Sequence, residues 1–552
     1  MTAPDELTTG APERESGSGR LALLLVLATA ILVNLPALFF PLARDQGVFA
    51  YNSACLLGGE APYVDFVDQK PPGILLFYAP AVALFGRTTF GVHIIEIVFV
   101  CLTVAIAFRL ARHFAPPPAD FLTGLFAAVF LSPLYCGFWA RAQVETFLAP
   151  LYALILLLLV MPRTRHGISA PLLAGLLGGL CFCMKPNAAA YPFLGTLVHL
   201  WDRTAALPLS RRVRPALAAG GLALVGFAIF PGALLAWLWW RGAFPALVEQ
   251  VLFLNIAYAG KGTSGVLARF LWINSPTIAF AALLVLALAL VAWKGPAALR
   301  QSVRHALGSA QERPRRAAHL VALWAGCLAM LLSGGFLFPY HHQILVLPGA
   351  LTAAIALGAI VRPVASGPAA RRPARACLRI GAPLLAFLAV AGGLQPDDRA
   401  FLTGSMRFSD YQDSPRFDWA DFSFRHTREL ARLLSRETRP EERVQIFGHG
   451  SLALFLADRR AATRFSFTSA AMHPPHGRGG RDREEILDRL RAQPPPLIVI
   501  ATRDALPQFG VISSDRQIAD YPPLSDFLAR RYRQDGMLAD DIILRRIDPP
   551  PA

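Results

Sequence analysis

Apolar runs of membrane-crossing length recur along this chain, separated by short polar stretches. They fall at roughly 21–42, 90–111, 119–138, 144–162, 169–184, 187–201, 215–239, 270–293, 317–337, 342–361 and 376–394. A helix needs about 20 apolar residues to cross a hydrocarbon core. The pattern therefore predicts a polytopic α-helical membrane protein with about eleven transmembrane helices. The pair at 169–201 is interrupted by Lys185-Pro186-Asn187 and reads either as two spans or as one broken helix. Two connecting loops are long, at 43–89 and 240–269. In the first, Val48, Tyr51, Cys55 and Leu56 fall at helical spacing, the pattern of a helix lying in the membrane interface. "PPGILLFYAPAVALFG" is too short to span comfortably and "FPALVEQVLFLNIAYAG" reads similarly, so both are expected at the membrane surface.

The pattern changes near residue 396. Phe422–Arg436 has the spacing of an amphipathic helix, and "RVQIFGHG" reads as a strand ending in a glycine turn. "REEILDRLRAQPPPLIVIA" reads as helix, proline turn and buried strand, and "DDIILRRI" as a last strand. The chain thus divides into a disordered tail (1–20), a membrane domain (21–395) and a C-terminal α/β domain (396–552).

Composition sharpens this. The 552 residues are 54% hydrophobic and only 16% charged, whereas a soluble protein carries about 25% charge. The net charge of +16 belongs to loops, not to nucleic-acid binding. One set of alternate loops holds nineteen Lys and Arg, from Arg109 to Arg379; the other holds eight: Arg44, Lys70, Arg87, Arg141, Lys185, Arg241, Lys261 and Arg269. The basic set belongs in the cytoplasm. That puts the N-terminus inside and, with an odd number of spans, the α/β domain outside. Merging 169–201 into one span would send the Arg-rich loops 294–316 and 362–379 outside, which favours the split. None of the seven cysteines follows Cys377, so the α/β domain has no disulfide. Cys181 and Cys183 point to different faces of a helix, which is wrong for a metal pair.

Ionisable residues gather in the outer loops. Asp45 opens the expected helix after the first span; it reads as an N-cap or as a functional acid, and the two can hold together. Glu145 heads the fourth span, where the helix dipole favours an acid. Lys70 stands before Pro71-Pro72-Gly73, either snorkelling to headgroups or placed as a cation, and Lys185 is wedged between spans. His341 and His342 occupy a short outer turn, with hydrogen bonding to an anion and simple packing both open. Acids and cations near lipid suit one chemistry: a carboxylate as general base on a hydroxyl, and cations holding a phosphate leaving group. No D-x-D triplet, phosphate loop or G-x-S-x-G elbow is present. His449, in "IFGHGSLALF", reads as a turn residue. No motif supports a metal or other cofactor.

"RDQGVFAYNSACLLGGEAPYVDFVDQKPPG", "ARAQVETF" and "FPYHHQILVLPGA" together resemble the C-type glycosyltransferase superfamily, and more closely the bacterial relatives of protein O-mannosyltransferases and of the lipid A aminoarabinose transferase. The resemblance covers roughly residues 20–395. It implies an integral membrane enzyme of the bacterial inner membrane whose active site faces the periplasm. Such an enzyme moves a sugar from a polyprenyl-phosphate donor to a lipid, glycan or protein acceptor. It implies Asp45 and Glu145 as catalytic acids, and Lys70, with Lys185, His341 and His342, as contacts to the donor phosphate. Tyr51, Asp65, Asp68 and Tyr78 would belong to the substrate loop. Many relatives carry Asp-Glu where this chain has Asp45-Gln46, and Gln46 cannot supply a charge. A transporter or lipid-linked-sugar flippase is the rival reading; it would place ionisable groups near the bilayer midplane.

Overall fold

The computed structural model describes residues 17–253 except 116, 134–136, 162–168 and 206; then 312–333, 338–364, 384, and 394–547 except 419–421, 473–478 and 506–510. The expected span at 270–293, nearly all of that at 376–394, most of the loop 240–269 and the tail before residue 17 lie outside the described residues.

The membrane part is built from α1 (Gly17–Asn34), α2 (Arg44–Leu57), α3 (Leu75–Phe85), α4 (Thr89–Phe114), α5 (Ala119–Phe130), α6 (Val144–Val160), α7 (Ser169–Met184), α8 (Ala190–Thr204), α9 (Leu209–Trp240), α10 (Glu312–Ser333) and α11 (Val346–Val364). Among the described residues, five stretches are long and apolar enough to cross a membrane: Gly19–Phe39, Thr89–Phe114, Leu209–Trp240, Pro314–Ser333 and Tyr340–Leu357. α5, α6 and α7 are apolar but shorter. Along α9, Leu217, Leu224, Val225, Ile229 and Trp239 are exposed. Such a bare apolar row is unfavourable in water and matches hydrocarbon. The chain is a multi-pass membrane protein.

Small residues let the helices close up. Gly175 and Gly179, one turn apart on α7, lie against the carbonyls of Ala223 and Phe227 on α9; a Cβ would sit 2.0 and 2.2 Å from those oxygens. Close backbone approach through small residues is how helices associate where no water drives them together. α7 and α8 form a hairpin and not one broken helix. Gly178 packs on Pro192 across the turn. Lys185, at the turn, meets Glu145 at the start of α6, while His199 near the far end of α8 bonds Leu159 O at the end of α6.

The C-terminal domain carries a five-stranded sheet of β1 (Arg443–Phe447), β2 (Arg460–Ala461), β3 (Leu497–Ile500), β4 (Tyr532–Leu538) and β5 (Asp541–Arg546) in the order β2-β1-β3-β5-β4. β1 runs parallel to both β2 and β3, and β5 is antiparallel to β3 and β4. Buried runs such as Leu497–Ile500 are typical of strands covered on both faces. The amphipathic helix forms at Phe424–Glu437, capped by Ser423. α13 (Ser451–Ala457) follows β1 directly, taking α12 as that amphipathic helix.

One apolar core joins both parts, from Phe49, Tyr78 and Phe147 to Leu452, Phe455 and Val499. α2 lies between them. On its far side, Ala461 N donates to Tyr51 Oη (2.9 Å), Arg460 bonds Ala54 O (2.9 Å), and Arg460 pairs with Glu60 (3.5 Å). Phe417 packs edge-on against Phe40 and Phe138, and Phe422 against Trp139. The helix read as interfacial therefore forms, but its Tyr51 and Cys55 are buried against protein.

Candidate active site

Two ion pairs stand side by side at one end of the helices. Asp45 and Lys70 meet at 3.5 Å, with side chains 38% and 27% exposed. Lys185 and Glu145 meet at 2.7 Å, with side chains 16% and 1% exposed. The charge of Glu145 also acts on Lys70, which makes the pairs one cluster.

Each member is placed by local structure. The N-cap of α2 is Ala43, so Asp45 is not the cap; it is the second residue of the helix, in the first turn, with its carboxylate turned to Lys70. Lys70 arrives on a tight turn. Lys70 N donates to Asp68 Oδ1 (3.0 Å), and Tyr63 Oη donates to Lys70 O (2.9 Å). The ammonium rests over the Phe49 ring, 4.7 Å from its centre. The turn is then pressed on the end of α7: a Cβ on Gly73 would lie 2.4 Å from Cys183 O. Only glycine permits that approach, and it sets the Lys70 turn beside Lys185.

Burial alone would raise the Asp45 pKa, but Lys70 and then Arg44 outweigh it and hold the carboxyl below the ordinary value. Burial would lower Lys70; Asp45, Asp68 and Glu145 together hold it above its ordinary value. Asp68 is pushed up, mainly by burial, against the pull of Lys70. The resting site thus holds a charged Lys70 against a charged Asp45.

The structure separates the residues singled out in the sequence. Asp45, Lys70, Asp68, Glu145 and Lys185 come together. Glu145, expected to assist Asp45, is buried and holds Lys185. Asp65 is exposed and accepts from Ala61 N (2.7 Å) within its own turn. Tyr78 is buried and donates to Ala142 O (2.7 Å), and Tyr51 serves the C-terminal domain. His341 and His342 are buried on a short turn of helix, Pro339–Leu345. His341 packs on Phe338 and Tyr340, and the neighbouring Gln343 ties the turn to Ala140 O (2.5 Å) and Thr146 Oγ1 (2.8 Å).

Three supports were given no part in the site by the sequence. Gln46, fully buried, donates its amide to the carbonyls of Phe138 (3.3 Å), Trp139 (3.2 Å) and Arg141 (2.7 Å). It fastens α2 to the loop before α6, a task for an N–H donor and not for a carboxylate. Glu96 on α4 forms an ion pair with Arg141 (Nε at 2.8 Å) and accepts from Ala142 N (2.8 Å) and His93 Nδ1 (2.9 Å). Losing one partner of such a buried pair typically costs about 3–5 kcal/mol, so this clamp fixes the loop that Gln46 grips. The third is His449. It stands in the glycine turn expected for it, and that turn reaches the electrostatic field of Asp45 and Arg44.

The fold and this cluster define a class: a multi-pass membrane protein with paired acids and lysines gathered at one end of its helices. Residues 69–240 match the family model described as dolichyl-phosphate-mannose-protein mannosyltransferase. The resemblance read from the loop residues is thus borne out over a stretch that holds Lys70, Glu145 and Lys185. No curated protein matches the chain. Among solved structures, the oligosaccharyltransferase AglB from Archaeoglobus fulgidus, in complex with an inhibitory peptide and a dolichol-phosphate, is 11% identical, with 96% of this chain and 74% of that chain covered and a TM-score of 0.48. The Archaeoglobus fulgidus oligosaccharyltransferase in its apo form is 12% identical, with 88% and 69% covered and a TM-score of 0.42.

Proposed function

We propose that the protein is a glycosyltransferase moving a sugar from a polyprenyl-phosphate donor to a hydroxyl-bearing lipid, glycan or protein acceptor. The membrane end carrying the cluster is taken to face the periplasm of a bacterial inner membrane. The observation that carries the reading is the Asp45–Lys70 pair, both partners accessible, beside a second lysine fixed by a buried acid. Lys70 and Lys185 bind the donor phosphate. The acceptor oxygen attacks the anomeric carbon, the bond from that carbon to the phosphate oxygen breaks, and polyprenyl phosphate leaves with the electron pair. Asp45 takes the hydroxyl proton, and the lysines stabilise the departing charge. Donor binding also prepares the base: once the phosphate engages Lys70, the ammonium that holds down the Asp45 pKa is shared, and the carboxylate becomes more basic.

Two observations support the two-lysine arrangement: the Gly73 contact that sets the turn on α7, and the ion pair that fixes Lys185. The test is release of polyprenyl phosphate by protein reconstituted with a panel of polyprenyl-phosphate sugars. Asp45→Asn should lose about 100-fold or more, the usual contribution of a positioned base. Undiminished release by that variant would refute the role of Asp45, and no release by the wild type with any donor would move the assignment to a transporter.

A further inference from the structure

The C-terminal domain reaches the charged cluster through one turn. β1 ends at Phe447, and Gly448-His449-Gly450 carries the chain into α13. Gly448 has φ +137, and a Cβ there would meet the Ala501 Cβ at 2.8 Å, so the turn closes against the end of β3. β2 lies on one side of β1 and β3 on the other, all three parallel. The chain therefore leaves the carboxyl ends of β1 and β3 in opposite directions. In open α/β sheets, the crevice outside the carboxyl ends at such a reversal is where ligands bind.

Here that crevice meets the head of α2. Leu452 of α13 packs on Gly47, where an added Cβ would come within 2.6 Å of the Leu452 Cβ. Gly47 is two residues from Asp45, and Leu452 is three from His449. The His449 ring is half-buried and stacks on Phe467, with ring centres 6.4 Å apart. Its Nε2 is 3.5 Å from Ser469 Oγ, and Ser469 is itself buried. Burial, reinforced by Arg44, pushes the His449 pKa down to about 3 against the pull of Asp45. The ring is therefore neutral at working pH, with one donor and one acceptor nitrogen.

We propose that this seam, between the head of α2 and the carboxyl ends of β1 and β3, is the acceptor subsite, and that His449 binds the acceptor beside Asp45. The inference rests on the transferase reading above and assigns the C-terminal domain its part in it. The acceptor places its attacking hydroxyl at Asp45 and an adjacent polar group at His449 and Ser469. Lys70 and Lys185 serve the donor.

The assay follows where the sugar goes. Purified full-length protein receives a radiolabelled mannosyl-phosphopolyprenol, with either a Ser/Thr-rich peptide or membranes of the expressing cells as acceptor probe. Label released to water and label transferred to acceptor are counted together. In His449→Ala the ratio of transfer to hydrolysis should fall at least 10-fold, with a raised KM for the acceptor. His449→Gln, which keeps a donor and an acceptor, should restore part of that ratio. Loss of both products in parallel, an unchanged ratio, or hydrolysis by the wild type with no labelled acceptor would overturn the assignment. A wild type that releases no polyprenyl phosphate would instead overturn the transferase reading and this inference with it.

Discussion

Replacing Gln46 by glutamate restores the acid that many relatives of the resembled family carry, and the structure predicts that it destabilises this chain. The Gln46 amide faces three backbone carbonyls, with its shortest bond, 2.7 Å, to Arg141 O. An ionised glutamate there would set a buried negative charge against three acceptors. The less costly course is to take up a proton. At pH 7.3 that lies three units above a glutamate's ordinary value of about 4.3, which at 1.36 kcal/mol per unit amounts to about 4 kcal/mol. At pH 5.3 the same step costs about 1.4 kcal/mol. The neutral acid has one O–H where the amide has two N–H groups, which removes roughly 1 kcal/mol more at any pH. The sign follows from linkage. The folded pKa of the new acid lies above its unfolded value, so stability is full below about pH 4.3 and is lost as pH rises toward the folded pKa. The assay is unfolding of Gln46→Glu and wild type in the same detergent, at one scan rate, at pH 5.3 and 7.3. The gap between them should widen by about 2–3 kcal/mol from the lower to the higher pH. Equal stability at both values, or a gap that narrows, would refute the donor role of Gln46.

Two further outcomes follow. Gly73→Ala forces its new methyl group against Cys183 O, 2.4 Å away; it should destabilise by about 1–3 kcal/mol and cut donor turnover at least 10-fold by moving Lys70 off Lys185, read by kcat/KM for the donor. For the free enzyme, the acid limb of kcat/KM should fall below the ordinary aspartate value of about 3.9, because Lys70 and Arg44 hold the Asp45 pKa down against burial; a pH profile in the wild type and in Lys70→Met checks it, and the limb should move upward in the variant.

Elements whose apolar spacing matches their own geometry were legible in the sequence: the membrane helices, the amphipathic helix at 424–437, and the strands at 443–447, 497–500 and 541–546. β4 was not, because "YRQDGML" carries no strand pattern of its own and is held by pairing with β5. Lys70 was legible as a placed cation because two prolines and a glycine follow it. The part played by Glu145 was hidden, since its partner Lys185 lies forty residues away in the turn between α7 and α8. Arg141 and Glu96 are likewise joined only by the fold. His449 stands in the turn expected for it; no local pattern could show that α13, which follows, packs on α2.

The bond between Tyr51 and Ala461 joins residues 410 positions apart. At about 5–20 residues per second, a ribosome takes roughly 20–80 s to supply the second after the first. For that interval α2 lacks the part of its burying surface that the C-terminal domain supplies. The face that holds Tyr51 and Cys55 is completed only when Arg460 and Ala461 arrive. A chain cut short before β2 would therefore keep its spans and leave the Tyr51 face of α2 uncovered.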